Sequence, residues 1–208
     1  MSSGRRDTRI AILDSARALF EEQGYFGAGL EAVAKKAGVS RQAIYLHFAS
    51  KGELLTELHL RIYETDVVPA LERNPIWTQP TALDALDATI AVDVEVASKV
   101  CLIHEALVVA RRHFPEVDET LRPREEDRYQ ELVRLGRWLE KEHHLPPGME
   151  VGTFADMLWG LNSLGTFQNL VIERGWSHDR YAGWVRETIR LQLGIERPGK
   201  AGAGVSRR

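Results

Sequence analysis

Apolar side chains recur at helical spacing along almost the whole chain, and almost no segment alternates apolar and polar positions as a strand does. The first apolar stripe runs through Ile10, Leu13, Leu19 and Phe20, and it predicts a helix that stops at Gly24. The pattern as a whole therefore predicts an all-α fold.

The same periodicity divides the rest of the chain into further helices. Proline and glycine positions set several of the predicted boundaries, because Pro115 is expected to end one helix and Pro123 is tolerated in the first turn of another. The predicted segments are a short second helix around Val33, a third at 40–48, a fourth at about 51–73, a fifth and a sixth between 83 and 115 that meet near Lys99, a seventh from near Pro123, an eighth at 151–174 and a ninth at 178–193. We therefore expect about nine helices in all.

The segment from Ala34 to Lys51 predicts a helix-turn-helix. Gly38 can adopt the positive φ that a sharp turn between two helices requires. Ser40 is placed to cap the next helix by accepting hydrogen bonds from backbone N–H groups. That helix opens with Arg41 and Gln42, whose side chains can donate hydrogen bonds to base edges.

Charge supports a DNA-binding role for this segment, although the whole chain has a formal net charge of −3. Between residues 32 and 52 there are four basic side chains and no acidic one. The bases are Lys35, Lys36, Arg41 and Lys51. A local positive field of this kind is what binding to a phosphate backbone requires.

Cysteine content and hydropathy favour a cytoplasmic protein. Cys101 is the single cysteine, so an intramolecular disulfide is excluded. No apolar run approaches the ~20 residues of a membrane span, and the first residues lack the apolar core of a signal peptide. We expect no membrane association, no cofactor and a buried, structural role for Cys101.

The eighth predicted helix is apolar on nearly every side, so it must be covered on every side. One flank can pack against the interior of the chain, while the other, with the ninth helix, predicts a symmetric four-helix interface with a second copy. The residues expected at this interface are Leu158, Gly165, Tyr181, Trp184 and Thr188. A central helix in a large monomeric core is the alternative.

The N-terminal quarter of the chain resembles the TetR family of bacterial transcriptional regulators, most of which are repressors. The matching positions are Leu30, Val33, Ala34, Ala37, Gly38, Val39, Ser40, Ile44, Tyr45, His47, Phe48, Ser50, Lys51, Glu53 and Leu54. The resemblance implies a three-helix DNA-binding domain at 1–50, joined to a larger helical ligand-binding and dimerisation domain at 51–195. The final segment, 196–208, has a composition that predicts a disordered tail.

The resemblance also implies which side chains contact the DNA backbone. Tyr45 and His47 correspond to phosphate-contacting residues at the end of the recognition helix, and Lys51 corresponds to a contact at the start of the fourth helix. Gly29 stands where the family usually has a capping threonine, so its backbone N–H is expected to replace that side-chain contact with phosphate.

The same resemblance implies that the exposed side of the recognition helix contacts the bases. Arg41 and Gln42 occupy positions that face base edges, where arginine favours guanine and glutamine favours adenine. Ala43 can touch a thymine methyl group.

In the family the effector pocket lies in the larger domain, so polar and aromatic side chains within its apolar runs are the candidates. They are His59, Tyr63, His104, Trp159, Asn162 and Phe167. Asn162 is the most informative of them, because burying an amide without a partner costs about 1 to 3 kcal/mol.

We therefore expect a repressor that binds a palindromic operator in double-stranded DNA as a homodimer and is released by an unidentified, largely apolar small molecule. The alternative is a DNA-binding homodimer that ignores small molecules and is controlled by a protein partner or is constitutive. Histidine spacing predicts no metal site, and the chain has neither a phosphate-binding glycine loop nor a nucleophile elbow, so no catalytic residue is assigned and no enzyme is expected.

Overall fold

The computed structural model describes residues 2 to 195, and the segment predicted to be a disordered tail lies outside them. The helices are α1 (Ser2–Gly27), α2 (Leu30–Ala37), α3 (Arg41–Tyr45), α4 (Lys51–Ile62), α5 (Val68–Arg73), α6 (Ala82–Ala110), α7 (Pro115–Lys141), α8 (Val151–Leu161), α9 (Leu164–Phe167) and α10 (His178–Gln192). No strand occurs between residues 2 and 195, which confirms the all-α prediction.

The first helical run stops at Gly24, as predicted, and a short second run within the α1 span follows it. Gly24 has φ 68° and ψ 179°, which are non-helical values that put a kink between the two runs. The chain resumes helical geometry beyond the break, and Ala28 N–H bonds to the Gly24 carbonyl at 3.3 Å. The break allows Tyr25 to turn inward, where it is 7% exposed.

A π-helical turn at Tyr63–Val67 connects α4 to α5. Its position follows from Pro69, which lies in the first turn of α5 and has no N–H to continue the α-helical ladder. Turns of this type occur often at functional sites.

Two of the predicted helix boundaries are wrong. The fifth and sixth predicted helices form the single helix α6, which passes Lys99 without a break. The seventh begins at Pro115 and contains Pro123 inside it. Pro115 therefore opens a helix, because a first-turn proline gives up an N–H that has no intrahelical partner in any case.

The eighth predicted helix is interrupted in its middle. Asn162 has φ −105° and ψ 32°, so α8 ends there and Ser163 caps the next helix by accepting a hydrogen bond from Thr166 N–H at 3.1 Å. A second π-helical turn, Gln168–Glu173, follows α9.

The chain divides into two compact units. The first contains the described residues up to Pro75 together with Glu95–Arg128, and the second contains Ile76–Val94 and the described residues from Tyr129 onward. Helices α6 and α7 therefore each contribute one part to each unit. The predicted domains, 1–50 and 51–195, are defined by function, whereas these units are defined by compactness. The functional division at residue 51 therefore stays a prediction.

Each unit has its own buried core. Side chains that are at most 2% exposed in the first unit include Ile12, Phe20, Ile44, Phe48, Leu54, Leu58 and Leu107. The corresponding side chains of the second unit include Leu86, Ile90, Leu135, Phe154, Leu158, Phe167, Tyr181 and Val185. None of the helices between residues 2 and 195 is long and apolar enough to cross a lipid bilayer.

Candidate DNA-binding surface and effector cluster

The turn between α2 and α3 has the geometry expected from its sequence. Gly38 adopts φ 70° and ψ 26°, and the following Val39 N–H bonds back to the Ala34 carbonyl at 3.0 Å. Ser40 then accepts a hydrogen bond from Ala43 N–H at 3.1 Å and caps α3. A glycine in the left-handed region and a serine cap therefore set the angle between the two helices.

The recognition helix, α3, is held by one face and presents the other to solvent. Ile44 is fully buried, and Phe48, four residues later, is 1% exposed. On the opposite face Arg41 and Gln42 are exposed, and Ala43 is half-buried. The residues expected to reach base edges therefore lie at the start of α3, where they are free of the core.

Arg41 and Tyr45 contact each other along the exposed face of α3. The Arg41 Nη2 atom lies 3.4 Å from the Tyr45 hydroxyl oxygen, to which it donates, and the guanidinium carbon lies 5.9 Å from the ring centre. Tyr45 is 47% exposed. The spacing of four residues places both side chains on one face.

Basic residues of α1 surround His47 at the far end of this surface. Burial lowers the pKa of His47, and the positive charges of Arg5 and Arg9 lower it further. Arg5 also donates a hydrogen bond to the Leu46 carbonyl at 3.4 Å. His47 is therefore neutral at pH 7, and it can contact a phosphate as a hydrogen-bond donor while Arg5 supplies charge.

Lys51, at the first position of α4, is partly buried against the end of α1. Its ammonium donates to the Tyr25 carbonyl oxygen and lies 4.2 Å from the Tyr25 ring centre and 5.5 Å from that of Phe20. An ammonium has three N–H donors, so this bond leaves donors for a phosphate.

Gly29 occupies the cap position of α2 with φ −80° and ψ 151°, and no side chain caps that helix. Its carbonyl accepts the first helical hydrogen bond, from Val33 N–H at 3.1 Å. The arrangement is compatible with the predicted backbone contact, which stays a prediction.

Three of the predicted effector-binding residues lie together in the first unit. His59 of α4 is close enough to His104 of α6 and to Arg124 of α7 that both lower its pKa. Tyr63, one turn beyond His59, lies under the guanidinium of Arg124 from α7, with 4.0 Å between the guanidinium carbon and the ring centre. We name Thr56, His59, Tyr63, His104 and Arg124 the α4 cluster.

Sequence reasoning missed two members of the α4 cluster. Thr56 lies one turn before His59 on α4, and its Oγ1 atom is buried without a hydrogen-bond partner in the described part of the chain, as is Nε2 of His59. Leaving such an atom unpaired costs about 1 to 3 kcal/mol. Arg124 lies among many charged residues on α7, a pattern typical of a solvated face, and only the structure places it over Tyr63.

The pKa values of both histidines of the α4 cluster are lowered. Burial, followed by the nearby Arg124 and His104, lowers the pKa of His59 to about 4. Burial also lowers the pKa of His104, with Glu125 opposing the effect and Arg111 and Arg128 adding to it.

The other predicted effector residues belong to the second unit. Asn162 is 5% exposed, and its side-chain N–H group donates to Asp93 at 2.8 Å. Trp159 packs edge-on against Tyr129, with 6.0 Å between ring centres. Phe167 is 1% exposed. Thus the Asn162 amide is bonded within the chain, at the break between α8 and α9.

The predicted dimer residues differ in exposure. Leu158 and Tyr181 are fully buried within one chain, so they can support an interface only by packing beneath the residues that contact the second copy. Gly165 is exposed, and Trp184 and Thr188 are half-buried, which leaves them accessible to a second copy.

One cleft in the first unit has a volume of about 270 Å³, and its lining includes no residue of the α4 cluster. Its lining includes Tyr25, Phe26, Leu102, Glu105 and Val109. None of the predicted effector-binding residues lines this cleft.

The helices between residues 2 and 195 include a helix-turn-helix. Its recognition helix presents Arg41, Gln42 and Tyr45 beside basic residues of α1. This combination defines a DNA-binding regulator of transcription. The family model for bacterial regulatory proteins of the tetR family matches residues 12–58. This match covers the helix-turn-helix and most of α4.

The chain is 31% identical over 121 residues to the uncharacterized HTH-type transcriptional regulator TtgW of Pseudomonas putida, covering 52% of this chain and 90% of that protein. It is 47% identical over 53 residues to the HTH-type transcriptional regulator AcrR of Shigella flexneri, covering 26% of this chain and 25% of that protein. The match therefore spans only about a quarter of the AcrR sequence.

The fold is also that of a transcriptional regulator from Saccharomonospora viridis whose crystal structure contains choline, with a TM-score of 0.72, 21% sequence identity and coverage of 91% of this chain and 97% of that chain. The chain belongs to the TetR family of bacterial regulatory proteins.

Proposed function

We propose that the chain is a transcriptional repressor that binds a palindromic operator as a homodimer, in the cytoplasm, and is released from DNA by a small molecule. The exposed pair of Arg41 and Gln42 at the start of α3 carries the DNA-binding part of the proposal. Each has donors that suit base edges in the major groove, and neither is needed by the core.

Two-fold symmetry would place two recognition helices on one face of B-DNA. That requires a separation of about 34 Å, or one helical turn, so the operator should be a palindrome. The exposed Gly165 and the half-buried Trp184 support the second unit as the place where two copies meet.

Control by a small molecule is supported by the α4 cluster and by the presence of choline in the related Saccharomonospora viridis structure. Helix α4 begins at Lys51, three residues after the core anchor Phe48 of the DNA-binding segment. A ligand that displaces α4 would therefore change the position of the recognition helix, and ligand and operator would oppose each other through linked conformations.

Selection of bound DNA from a random pool at moderate salt tests the proposal. We expect a palindromic sequence to be enriched, with half-sites about 10 base pairs apart between centres or at a multiple of this spacing. Arg41→Ala should relax the preference at a single base pair of each half-site. Enrichment of a single, non-repeated site, or of no sequence at all, would contradict the homodimeric operator-binding function.

A further inference from the structure

The α4 cluster contains two polar atoms that the protein leaves without a partner. Oγ1 of Thr56 and Nε2 of His59 are both buried, and neither forms a hydrogen bond with any residue from 2 to 195. The two residues are three positions apart on α4, so their side chains lie on the same face of that helix. Two unsatisfied groups on one face indicate a place where a polar group from outside the chain can bind.

The charge around these atoms is positive. Among the described residues no carboxylate lies within ion-pair distance of Arg124, whose guanidinium packs on the ring of Tyr63. The neighbouring acid, Glu125, has both carboxylate oxygens bound to Arg111, at 2.8 and 3.1 Å. Because Glu125 is already paired, the positive charge of Arg124 is left for a ligand.

We propose that the α4 cluster binds a carboxylate group of the effector, with Thr56 and His59 donating hydrogen bonds and Arg124 supplying the opposite charge. The inference rests on the proposed control by a small molecule and names the chemical class of that molecule, an apolar acid. A hydroxyl and an imidazole N–H can each donate one hydrogen bond, and a carboxylate has two oxygens to accept them.

The charged groups on the neighbouring helices are consistent with this assignment. His59 faces Arg124 of α7 and His104 of α6, and His104 in turn is affected by Arg111, Glu125 and Arg128. Burial lowers the pKa of both histidines, and the arginines lower it further when no anion is bound. A bound carboxylate reverses that effect, because an opposite charge favours the protonated imidazole.

Binding at the α4 cluster is coupled to the DNA-binding segment through α4 itself. The unpartnered atoms are buried, so a ligand reaches them by separating α4 from its neighbours. The start of α4 is joined to the first turn of α7, where the Ser50 hydroxyl donates a hydrogen bond to a carboxylate oxygen of Glu116 at 3.3 Å. Movement of α4 therefore strains this junction and displaces the helix-turn-helix.

Benzoate, benzyl alcohol and benzylamine provide a test, because they share one ring and differ in charge. Binding to the full-length protein without DNA is measured by calorimetry, and the side-chain ¹⁵N shifts of the histidines are followed by NMR. We expect benzoate to bind at least ten-fold more tightly than benzyl alcohol or benzylamine. We also expect the His59 ring signals to move toward those of the protonated form.

Two variants locate the site. Thr56→Val and Arg124→Met keep side-chain size and remove the donor or the charge, and each should reduce the preference for benzoate at least five-fold. Thr89→Val, in the second unit, is the matched control, because the Thr89 hydroxyl bonds to the Ala85 carbonyl of its own helix at 2.8 Å. Thermal unfolding verifies that each variant is folded.

Equal binding of benzoate and benzyl alcohol would overturn the inference, as would a benzoate preference that survives in both site variants. Operator release is measured separately, so the two proposals can fail independently. If benzoate binds at the α4 cluster while the operator complex persists, the inference stands and ligand-controlled release fails. If benzoate does not bind and another small molecule releases the operator, the inference fails and ligand-controlled release stands.

Discussion

Lys51 at the start of α4 donates a hydrogen bond to the carbonyl oxygen of Tyr25 near the end of α1. The ammonium also lies 4.2 Å from the centre of the Tyr25 ring, and burial lowers the pKa of Lys51. One side chain thus joins the first helix of the DNA-binding segment to the helix that carries the α4 cluster. The residue proposed to contact phosphate also stabilises the fold.

Lys51→Met should weaken both properties, because methionine keeps the apolar stem and removes the ammonium. We expect a loss of about 1 kcal/mol in the free energy of unfolding, with the value of a charged hydrogen bond reduced for solvent screening. Affinity should fall for all DNA sequences. The slope of log affinity against log salt concentration should decrease by about the value of one phosphate contact. Chemical denaturation and fluorescence anisotropy at several salt concentrations measure these effects. A loss of stability with an unchanged salt slope would show that Lys51 is only structural.

Arg41→Ala should relax sequence preference at a single base pair of each half-site. Bidentate arginine–guanine contacts distinguish bases by roughly 5- to 100-fold, so the loss should be of this size for the preferred sequence and small for variants at that base pair. Arg41→Lys is the control that keeps the charge. Competition binding with single-base operator variants measures the effect, and a uniform loss across all variants would assign Arg41 to the phosphate backbone.

The helix-turn-helix could be predicted almost completely from sequence because its geometry is local. Gly38 supplies the positive φ, Ser40 supplies the cap, and Ile44 and Phe48 anchor α3 at a spacing of four residues. Each feature depends on residues that are near one another in the chain. The structure therefore reproduces the helix order there, although regular α-helix in α3 ends at Tyr45 rather than at Phe48.

The α4 cluster could be predicted only in part, since its members come from three helices that are distant in sequence. His59, Tyr63 and His104 stood out as polar or aromatic residues in apolar runs. Thr56 and Arg124 gave no signal, because an unpaired hydroxyl and a guanidinium over a ring become visible only when α4 and α7 are in place.

Gly52→Ala should destabilise the junction between α4 and the loop before α7. An added Cβ would lie 2.7 Å from Cγ of Phe114 and 2.8 Å from a carboxylate oxygen of Glu116. We expect a loss of about 1 to 3 kcal/mol in the free energy of unfolding, as for other overpacked sites. Gly152→Ala is the control, because its added Cβ would meet no described residue within 4 Å beyond its chain neighbours and the backbone of its own helix.

A second substitution distinguishes overpacking from a change in helix propensity. Phe114→Leu removes part of the ring that the new Cβ would meet, so the Gly52→Ala/Phe114→Leu variant should lose less stability than the sum of the two single variants. Urea denaturation of the four proteins measures this coupling. Strict additivity would mean that the contact with Phe114 does not cause the loss.

Gly165→Arg should prevent dimerisation and leave each chain folded. Gly165 is exposed on α9, and among the described residues the nearest atom to an added Cβ is the Ser163 hydroxyl, at 3.9 Å. In a two-fold interface the new arginine of one chain would face the same arginine of the second chain. Two like charges are strongly unfavourable when they are desolvated together. Sedimentation equilibrium measures the association state, and Gln130→Arg on the exposed face of α7 is the control. Dimers of unchanged stability would exclude Gly165 from the interface.

Acid should destabilise the protein through His59, whose pKa of about 4 lies below the usual value of 6.5. Between these two values the unfolded chain binds more protons than the folded one, so stability falls as pH decreases through this window. The loss from pH 7 to pH 5 is on the order of 2 kcal/mol. His59→Gln should remove that part of the pH dependence, whereas His143→Asn, at an exposed position with φ 62°, should retain it. Denaturation curves at each pH measure the difference, and parallel pH profiles for wild type and His59→Gln would show that His59 is not buried as a neutral imidazole.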